Sequence, residues 1–264
     1  MDMVKLSIEE LMFCFYSEGL FEQGLGLKQN YFPEMTDEQQ DFAFQVSCRS
    51  LLAKEMLEYS EHSYKLKKDY APFIKALANS RYSLNASKFE SDENLQRTHS
   101  FLVTEHDIYS YCTIHDEQVH QITKLNSVEQ ISEELSAFFG LESIPSACEE
   151  LFVLENEDFE ELLKGVSENS ALLEGAMAKL DLENGLVNEF MKDLLSRRGM
   201  MDSIVQFQYD KSNQPNVSDL IFVIPGKLRH WFITGSVKNK FTLRAANKEV
   251  LQRIVSGSGI LTSI

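Results

Sequence analysis

The stretch from Ser203 to Gly257 decides the fold of this chain. It reads SIVQFQY, the turn DKSNQPN, VSDLIFVI, the break PGKLR, HWFITG, the turn SVKNK, FTLRAA and finally NKEVLQRIVSG. Short runs rich in Val, Ile, Phe and Thr, separated by Asn, Pro, Gly and Lys clusters, are typical of antiparallel strands joined by turns. The last run changes to a helical period. The stretch therefore predicts about four strands followed by one helix.

A similar order of elements is predicted earlier, from Arg81 to Phe139. The strand-like runs there are RYSLNAS, HSFLVTEHD, IYSYCTIHD and QVHQITKL. Ser127 with Gln130 has the pattern of a capping box at the start of a helix that should end at Gly140. Because order and spacing agree, we expect one domain built from two related halves, 1–140 and 141–264.

Helices are predicted before the first strands. Ser7 with Glu10 has a capping-box pattern, Thr36 is placed to cap a long helix, and Pro72 suits the first turn of a short one. Between the first two, FEQGLGLKQNYFPEM is expected to be a loop, and it lacks the third glycine of a dinucleotide site. The segment around EHSYKLKK is expected to be a turn. The residues of the long helix expected mostly to face a core are Phe42, Val46, Leu51 and Leu52.

The region from Pro145 to Met201 predicts an acidic insert of three or four short helices. It has more apolar positions than one small helical bundle needs. These residues either pack on the sheet or form a groove for a partner helix, with methionines as adaptable contacts. The candidate partner-binding residues in and after the insert are Leu186, Phe190, Met191, Leu194, Met200, Met201, Phe207, Phe222 and Trp231.

Composition indicates a soluble globular chain. Of its 264 residues, 43% are hydrophobic, and no apolar run approaches the roughly 20 residues that span a bilayer. The start MDMVKLSIEE has acids where a signal peptide has an apolar stretch. Cys14, Cys48, Cys112 and Cys148 are scattered and form no CxxC pair, so free thiols are expected. We therefore expect a cytoplasmic protein without membrane insertion.

The net charge of -16 disfavours nucleic-acid binding, which needs basic patches. The charge is uneven, because Ser127–Gly175 holds 13 acidic residues and one Lys, whereas Ser203–Ile264 holds eight basic and three acidic residues. The initial helices could instead form a winged-helix regulator, although only Lys65, Lys67 and Lys68 cluster there.

No catalytic motif is present. His99, His106, His115 and His120 have spacings that place them on different strands, and there is no HExxH pair, G-x-S-x-G elbow or phosphate loop. Neighbouring acids such as Glu160 and Glu161 diverge by about 100° on a helix. We expect no catalytic, metal or cofactor site and no enzymatic activity.

Several sequence segments together show a resemblance to a known family. They are Cys48-Arg49-Ser50-Leu51-Leu52-Ala53-Lys54, a short helix leading to the strand Arg81–Ser87, and the closing HWFITGSVKNKFTLRAANKEVLQRIV. With the order of elements they resemble the EspG-like proteins of type VII secretion systems and the similar EsaE-like proteins. The resemblance implies an α+β fold with quasi-two-fold architecture, a central antiparallel sheet and two helical regions. It also implies a cytosolic chaperone that binds a helical secreted effector and keeps it soluble and export-competent.

An immunity protein or antitoxin is the alternative function. Such a protein would bind a globular toxin, with the acidic surface between Glu129 and Glu161 against a basic active site. The sequence leaves the oligomeric state open.

Overall fold

A computed structural model shows an α+β protein with a large antiparallel sheet. The structure describes residues 2–60, 62–90, 96–141, 150–168, 172–178, 180, 183–236 and 240–257. The helices in these ranges are α1 (Ile8–Ser17), α2 (Phe21–Tyr31), α3 (Asp37–Ala53), α4 (Ala71–Ala78), α5 (Glu129–Phe139), α6 (Asn156–Glu168), α7 (Leu172–Ala178), α8 (Gly185–Ser196) and α9 (Lys248–Gly257). The strands are β1 (Met3–Ser7), β2 (Leu57–Ser60), β3 (Ser63–Leu66), β4 (Tyr82–Phe89), β5 (Gln96–Val103), β6 (Ile108–Ile114), β7 (Val119–Leu125), β8 (Glu150–Glu155), β9 (Asp202–Tyr209), β10 (Pro215–Ile224), β11 (His230–Ser236) and β12 (Lys240–Ala246).

The strand order of the main sheet is symmetric about its middle. The order is β1-β7-β6-β5-β4-β9-β10-β11-β12-β8, and β2 with β3 forms a separate hairpin. On each side of the β4–β9 pair lie three strands of a meander and then a strand from earlier in the same half. The predicted α+β class with quasi-two-fold architecture and a central antiparallel sheet is therefore confirmed.

The prediction for Ser203–Gly257 is confirmed as the four strands β9 to β12 followed by α9. Register follows the alternation of side chains, with Ile221 opposite Thr234 and Trp231 opposite Ala245. The earlier meander, β4 to β7 followed by α5, is also confirmed. Gly140 ends α5 in the left-handed conformation, at φ 72°, which glycine adopts without steric cost.

Contacts divide the chain into two compact units. Unit 1 is Met1–Ser83, Ser100–Asn126 and Tyr209–Asn213, and unit 2 is Leu84–His99, Ser127–Gln208 and Gln214–Ile264. These units are defined by packing, whereas the halves 1–140 and 141–264 are defined by repetition of a sequence pattern. The halves stay a prediction.

The core of unit 1 lies between its helices and its strands. Leu11 and Phe15 of α1 pack with Phe73 of α4 and with the strand residues Leu6 and Ile122. All five side chains are at most 5% exposed. Removing their apolar area from water is the main term that holds the unit together.

The core of unit 2 is built by α6 and α8 on β11 and β12. Phe159 and Leu162 of α6 join Leu194 of α8 and the strand residues Ile233 and Leu243. The apolar positions of both helices recur at helical spacing, so one stripe of each can face the sheet.

Several helix starts agree with their sequence signals. The Ser7 hydroxyl accepts a hydrogen bond from the Glu10 amide at 3.2 Å, and the Ser7 amide donates to the Glu10 carboxylate at 2.9 Å. Thr36 caps α3 in the same way, and α4 carries Pro72 in its first turn.

The predicted cap of α5 is wrong. Val128 is the N-cap residue and makes no side-chain cap bond. The Ser127 hydroxyl instead bonds to the carboxylate of Glu129, which lowers the pKa of that carboxyl.

The expected loop around the GxG pattern is the helix α2. Gly24 lies against α1, where a Cβ atom would be 2.4 Å from the Tyr16 ring. Glycine is therefore present for close helix packing and not for a turn.

Two further expectations are wrong, the second only in part, because strand pairing overrides the local pattern. The segment around EHSYKLKK contains the β2–β3 hairpin, in which Leu57 pairs with Leu66 and the Tyr59 and Tyr64 rings lie 5.1 Å apart. The insert contains the strand β8 beside three helices, and β8 pairs with β12. Residues 145–149, 169–171, 179, 181 and 182 of the predicted insert lie outside the described residues.

The expected orientation of α3 is also wrong in part. Leu51 is buried, but Phe42, Val46 and Leu52 are exposed. The inward position is taken by Phe44, whose ring packs edge-on against Phe13 of α1 at 5.8 Å.

Cys14, Cys48 and Cys112 are free thiols, as expected. Cys148 lies outside the described residues.

Candidate partner-binding surfaces

Helix α8 carries four of the nine predicted partner-binding residues, namely Leu186, Phe190, Met191 and Leu194. Asn184 caps it by accepting a hydrogen bond from the Leu186 amide at 2.9 Å. Phe190, Met191 and Leu194 lie on one face of the helix and are at most 2% exposed. This face packs on the sheet and belongs to the core of unit 2.

Trp231 fixes α8 to the sheet. Its indole Nε1 donates to the Asp193 carboxylate at 2.9 Å, and its ring contacts Phe190 edge-on at 5.8 Å. The Lys227 amide donates to the same carboxylate at 3.4 Å. A buried carboxylate requires such donors, so Asp193 ties the loop before β11 to α8.

Gly226 allows that loop to approach α8. A Cβ atom there would be 2.1 Å from the Asp193 carboxylate and 2.4 Å from the Arg229 carbonyl oxygen. No side chain fits between these groups, so glycine is required for the close approach.

The nine predicted residues fall into three groups by exposure. Met200 is 46% exposed, after the end of α8. The four half-buried side chains are Leu186, Met201, Phe207 and Phe222. The four buried side chains are Phe190, Met191, Leu194 and Trp231. A partner role for any of the nine stays a prediction. In this structure, only the exposed and half-buried side chains could contact a partner.

Sequence reasoning missed other exposed apolar residues of unit 2. Leu228 is 74% exposed in the loop before β11, and Leu195 is exposed on α8. The signal for Leu228 was available, because a lone leucine between Lys227 and Arg229 in a turn has no periodic apolar neighbours.

An open groove of about 520 Å³ lies in unit 1, also unpredicted. Phe13, Phe44, Cys48 and Tyr64 supply its apolar and aromatic lining. Asp41, Gln45 and Arg49 of α3 supply its polar lining. Its polar and apolar groups suit an amphipathic segment better than a small polar substrate.

Burial suppresses the reactivity of the Cys14 thiol in unit 1. It raises the pKa of the Cys14 thiol far above its ordinary value, so this thiol stays protonated and is a poor nucleophile. Within the described ranges, no cluster of three His, Cys, Asp or Glu side chains could hold a metal ion.

The half-buried Tyr111 and the buried His120 form an aromatic pair in unit 1. The Tyr111 hydroxyl and His120 Nδ1 are 2.8 Å apart, and the rings stack at 5.9 Å. The Tyr31 ring meets His120 edge-on at 6.0 Å. Burial lowers the pKa of His120 and raises that of Tyr111, so both groups are held in their neutral forms.

Asp202 joins two segments of unit 2 near the end of α8. Its carboxylate accepts from the Arg197 guanidinium at 2.8 Å and from the Phe89 amide at 3.0 Å. Burial raises its pKa, and these two donors act in the opposite direction. Both donors bond to the same oxygen, Oδ1, so the carboxylate acts as a structural anchor between the two segments.

Helices in the described parts of the chain are too short or too polar to cross a bilayer.

Comparison with known proteins decides the family. Residues 3–255 match the family model described as "Uncharacterised protein YfjC". The chain belongs to the YfjC family. A YfjC relative from Bacillus subtilis (strain 168), described as "Uncharacterized protein YfjC", is 41% identical over 251 residues, which cover 95% of this chain and 98% of the relative.

This YfjC-family chain is also similar in fold to a protein of known structure. That protein is the type VII secretion system chaperone EspG5 of Mycobacterium tuberculosis, solved in complex with the PE25-PPE41 dimer. The likeness covers 99% of this chain and 96% of EspG5, with a TM-score of 0.65 and 12% sequence identity. The predicted resemblance to EspG-like proteins is therefore confirmed for the fold, while the family shown is YfjC.

Proposed function

We propose that this protein is a cytoplasmic, non-catalytic chaperone of a type VII secretion system that binds a helical secreted effector and keeps it soluble until export. The observation that carries the proposal is the likeness of fold, over nearly the whole chain, to a type VII secretion chaperone that was solved with a bound protein dimer. By this proposal the chain shares with EspG-like proteins their function as well as their fold.

The partially exposed apolar residues at the two ends of α8 and on β9 and β10 support a protein partner. Met200 and Met201 follow α8, Leu186 lies in its first turn, and Phe207 and Phe222 lie on the strands. Flexible methionine side chains and aromatic side chains can adapt to an apolar helix face, as in helix-in-groove recognition. The buried residues Phe190, Met191, Leu194 and Trp231 act in this proposal by holding α8 in place.

Co-expression with a helical secreted effector of the same organism, sought first among proteins encoded near this chain, tests the proposal. We expect the two proteins to co-purify in a fixed ratio and the soluble fraction of the effector to rise when the chain is present. An effector that stays insoluble while the chain purifies alone would contradict the proposal. A partner that is instead a globular toxin, whose activity the chain blocks in a growth rescue assay, would support the immunity function in its place.

A matched pair of variants tests the surface. Met200→Asp should weaken co-purification of the effector, because it places a charge on the proposed contact. Leu25→Asp is the control, because Leu25 of α2 has the same 46% exposure as Met200 and lies in unit 1. Equal losses in the two variants would count against the α8 surface.

A further inference from the structure

Helix α3 presents large apolar side chains to solvent. Phe42 is 65% exposed and Val46 is 45% exposed. The opposite face is already anchored, because Phe44 packs on Phe13 and on Tyr16, at ring distances of 5.8 and 5.0 Å. A helix whose outer face meets only water normally carries polar residues there, so the outer face of α3 has the character of an interface.

Opposite charges flank this apolar pair. Glu38 and Arg49 are both exposed, and neither has an ion-pair partner among the described residues. At about 100° per residue, Glu38, Phe42, Val46 and Arg49 fall within an arc of about 80°. The outer stripe of α3, defined by these four residues, therefore runs acid, apolar, apolar, base from its N-terminus.

This stripe is complementary to itself when two copies lie antiparallel. Along the helix axis, the centre of the apolar pair (Phe42 and Val46) nearly coincides with the centre of the charged pair (Glu38 and Arg49). The two centres are about half a residue apart, which is less than ~1 Å. A two-fold axis at that point sets Phe42 against Val46 of the partner subunit. The same axis sets Arg49 against Glu38 of the partner subunit. The two helices are then antiparallel, so their dipoles attract each other.

We infer that the outer stripe of α3 is the interface of a two-fold symmetric homodimer. A second copy necessarily supplies both charges and both apolar residues at the matching spacing, whereas a different helical protein would have to match them independently. The inference goes beyond the proposed chaperone function and does not rest on it, because the dimer forms without any effector.

Reciprocal charge reversal tests the arrangement in the full chain, with molar mass measured by light scattering over a range of protein concentrations. The wild-type chain should reach the mass of two chains. Glu38→Arg and Arg49→Glu each place like charges together at both ends of the stripe, so each should raise the dimer dissociation constant about tenfold or more. The double variant, Glu38→Arg with Arg49→Glu, restores opposite charges and should return it to within about threefold of wild type. Phe42→Ser removes an apolar contact at the centre of the stripe and should raise the dimer dissociation constant about a hundredfold.

Glu168→Arg is the matched control. Glu168 is exposed at the end of α6 in unit 2, and its reversal changes the net charge as much as Glu38→Arg does. This variant should leave the dissociation constant unchanged, and circular dichroism should show every variant folded, since all the changed side chains are exposed. A wild-type chain that stays monomeric at every concentration would overturn the inference. Single variants that dissociate while the double variant also stays dissociated would overturn it as well.

Discussion

The buried imidazole of His120 shows how burial affects the protonation of a single side chain. His120 is 1% exposed, its Nδ1 pairs with the Tyr111 hydroxyl, and its Nε2 has no hydrogen-bond partner among the described residues. Charging the ring would place a cation where no carboxylate is bonded to it. Burial therefore lowers the pKa of His120 in the folded protein.

This shift predicts a pH dependence of stability. Between the lowered folded pKa and the ordinary value near 6.5, the unfolded chain binds more protons than the folded one. The contribution of His120 is thus fully present above the unfolded pKa and is lost as pH falls. We expect urea unfolding to show that the drop in unfolding free energy from pH 7.5 to 5.5 is smaller in His120→Phe than in wild type.

Tyr111→Phe is the control for the lost hydrogen bond. Both variants should cost about 1 kcal/mol at pH 7.5, the usual net value of one such bond. Only the variant that keeps the imidazole should keep the full drop in stability at pH 5.5. Identical pH dependence in wild type and His120→Phe would contradict the assignment.

At the scale of the element, one carboxylate links the start of α1 to α3. Glu10 closes the capping box with Ser7, and it also accepts from the Ser50 hydroxyl and the Lys54 ammonium, each at 2.7 Å. The capping box is local and readable in the sequence. The contacts with Ser50 and Lys54 exist only because α1 and α3 pack together.

Removing the cap should have a measurable cost. Ser7→Ala deletes the hydroxyl that accepts from the Glu10 amide, so we expect a loss of about 1 kcal/mol in unfolding free energy. Ser7→Thr preserves the hydroxyl and should stay within about 0.5 kcal/mol of wild type. Equal stability of the alanine and threonine variants in urea unfolding would show that the cap contributes nothing.

At the scale of the whole molecule, charge restricts the kind of partner. The net charge of -16 is spread over a chain with 41 acidic and 25 basic residues. A phosphate backbone is attracted by clustered cations that release its counterions, and it is repelled by a surplus of this size.

We therefore expect no binding to double-stranded DNA at physiological salt. An electrophoretic mobility assay with a random-sequence duplex should show no shifted band at any protein concentration that remains soluble. A shifted band that weakens steeply as salt is added would contradict this expectation and would revive the winged-helix alternative.

Local patterns predicted much of the fold because their causes are local. The alternating runs and turns between Ser203 and Gly257 favour strands whatever those strands pack against. The caps at Ser7 and Thr36 define where α1 and α3 begin. The order of these elements predicted the α+β class and two related halves, and the same order together with the segments Cys48–Lys54 and HWFITGSVKNKFTLRAANKEVLQRIV carried the resemblance to EspG-like proteins.

Tertiary packing decided what an apolar position does. Periodicity finds an apolar stripe but does not show which neighbour covers it, so Phe42 and Val46 were expected inside and lie outside. For the same reason Phe190 and Trp231, chosen as partner contacts, are buried against each other, and the groove in unit 1 was missed. The sequence by itself determined the two meanders, the helices that follow them and most of the early helices, since these follow from local periods, turns and caps. It missed α2, the β2–β3 hairpin and β8, which depend on helix packing and strand pairing. The tertiary structure alone decided which apolar faces are exposed to a partner, because exposure depends on contacts between residues far apart in the chain.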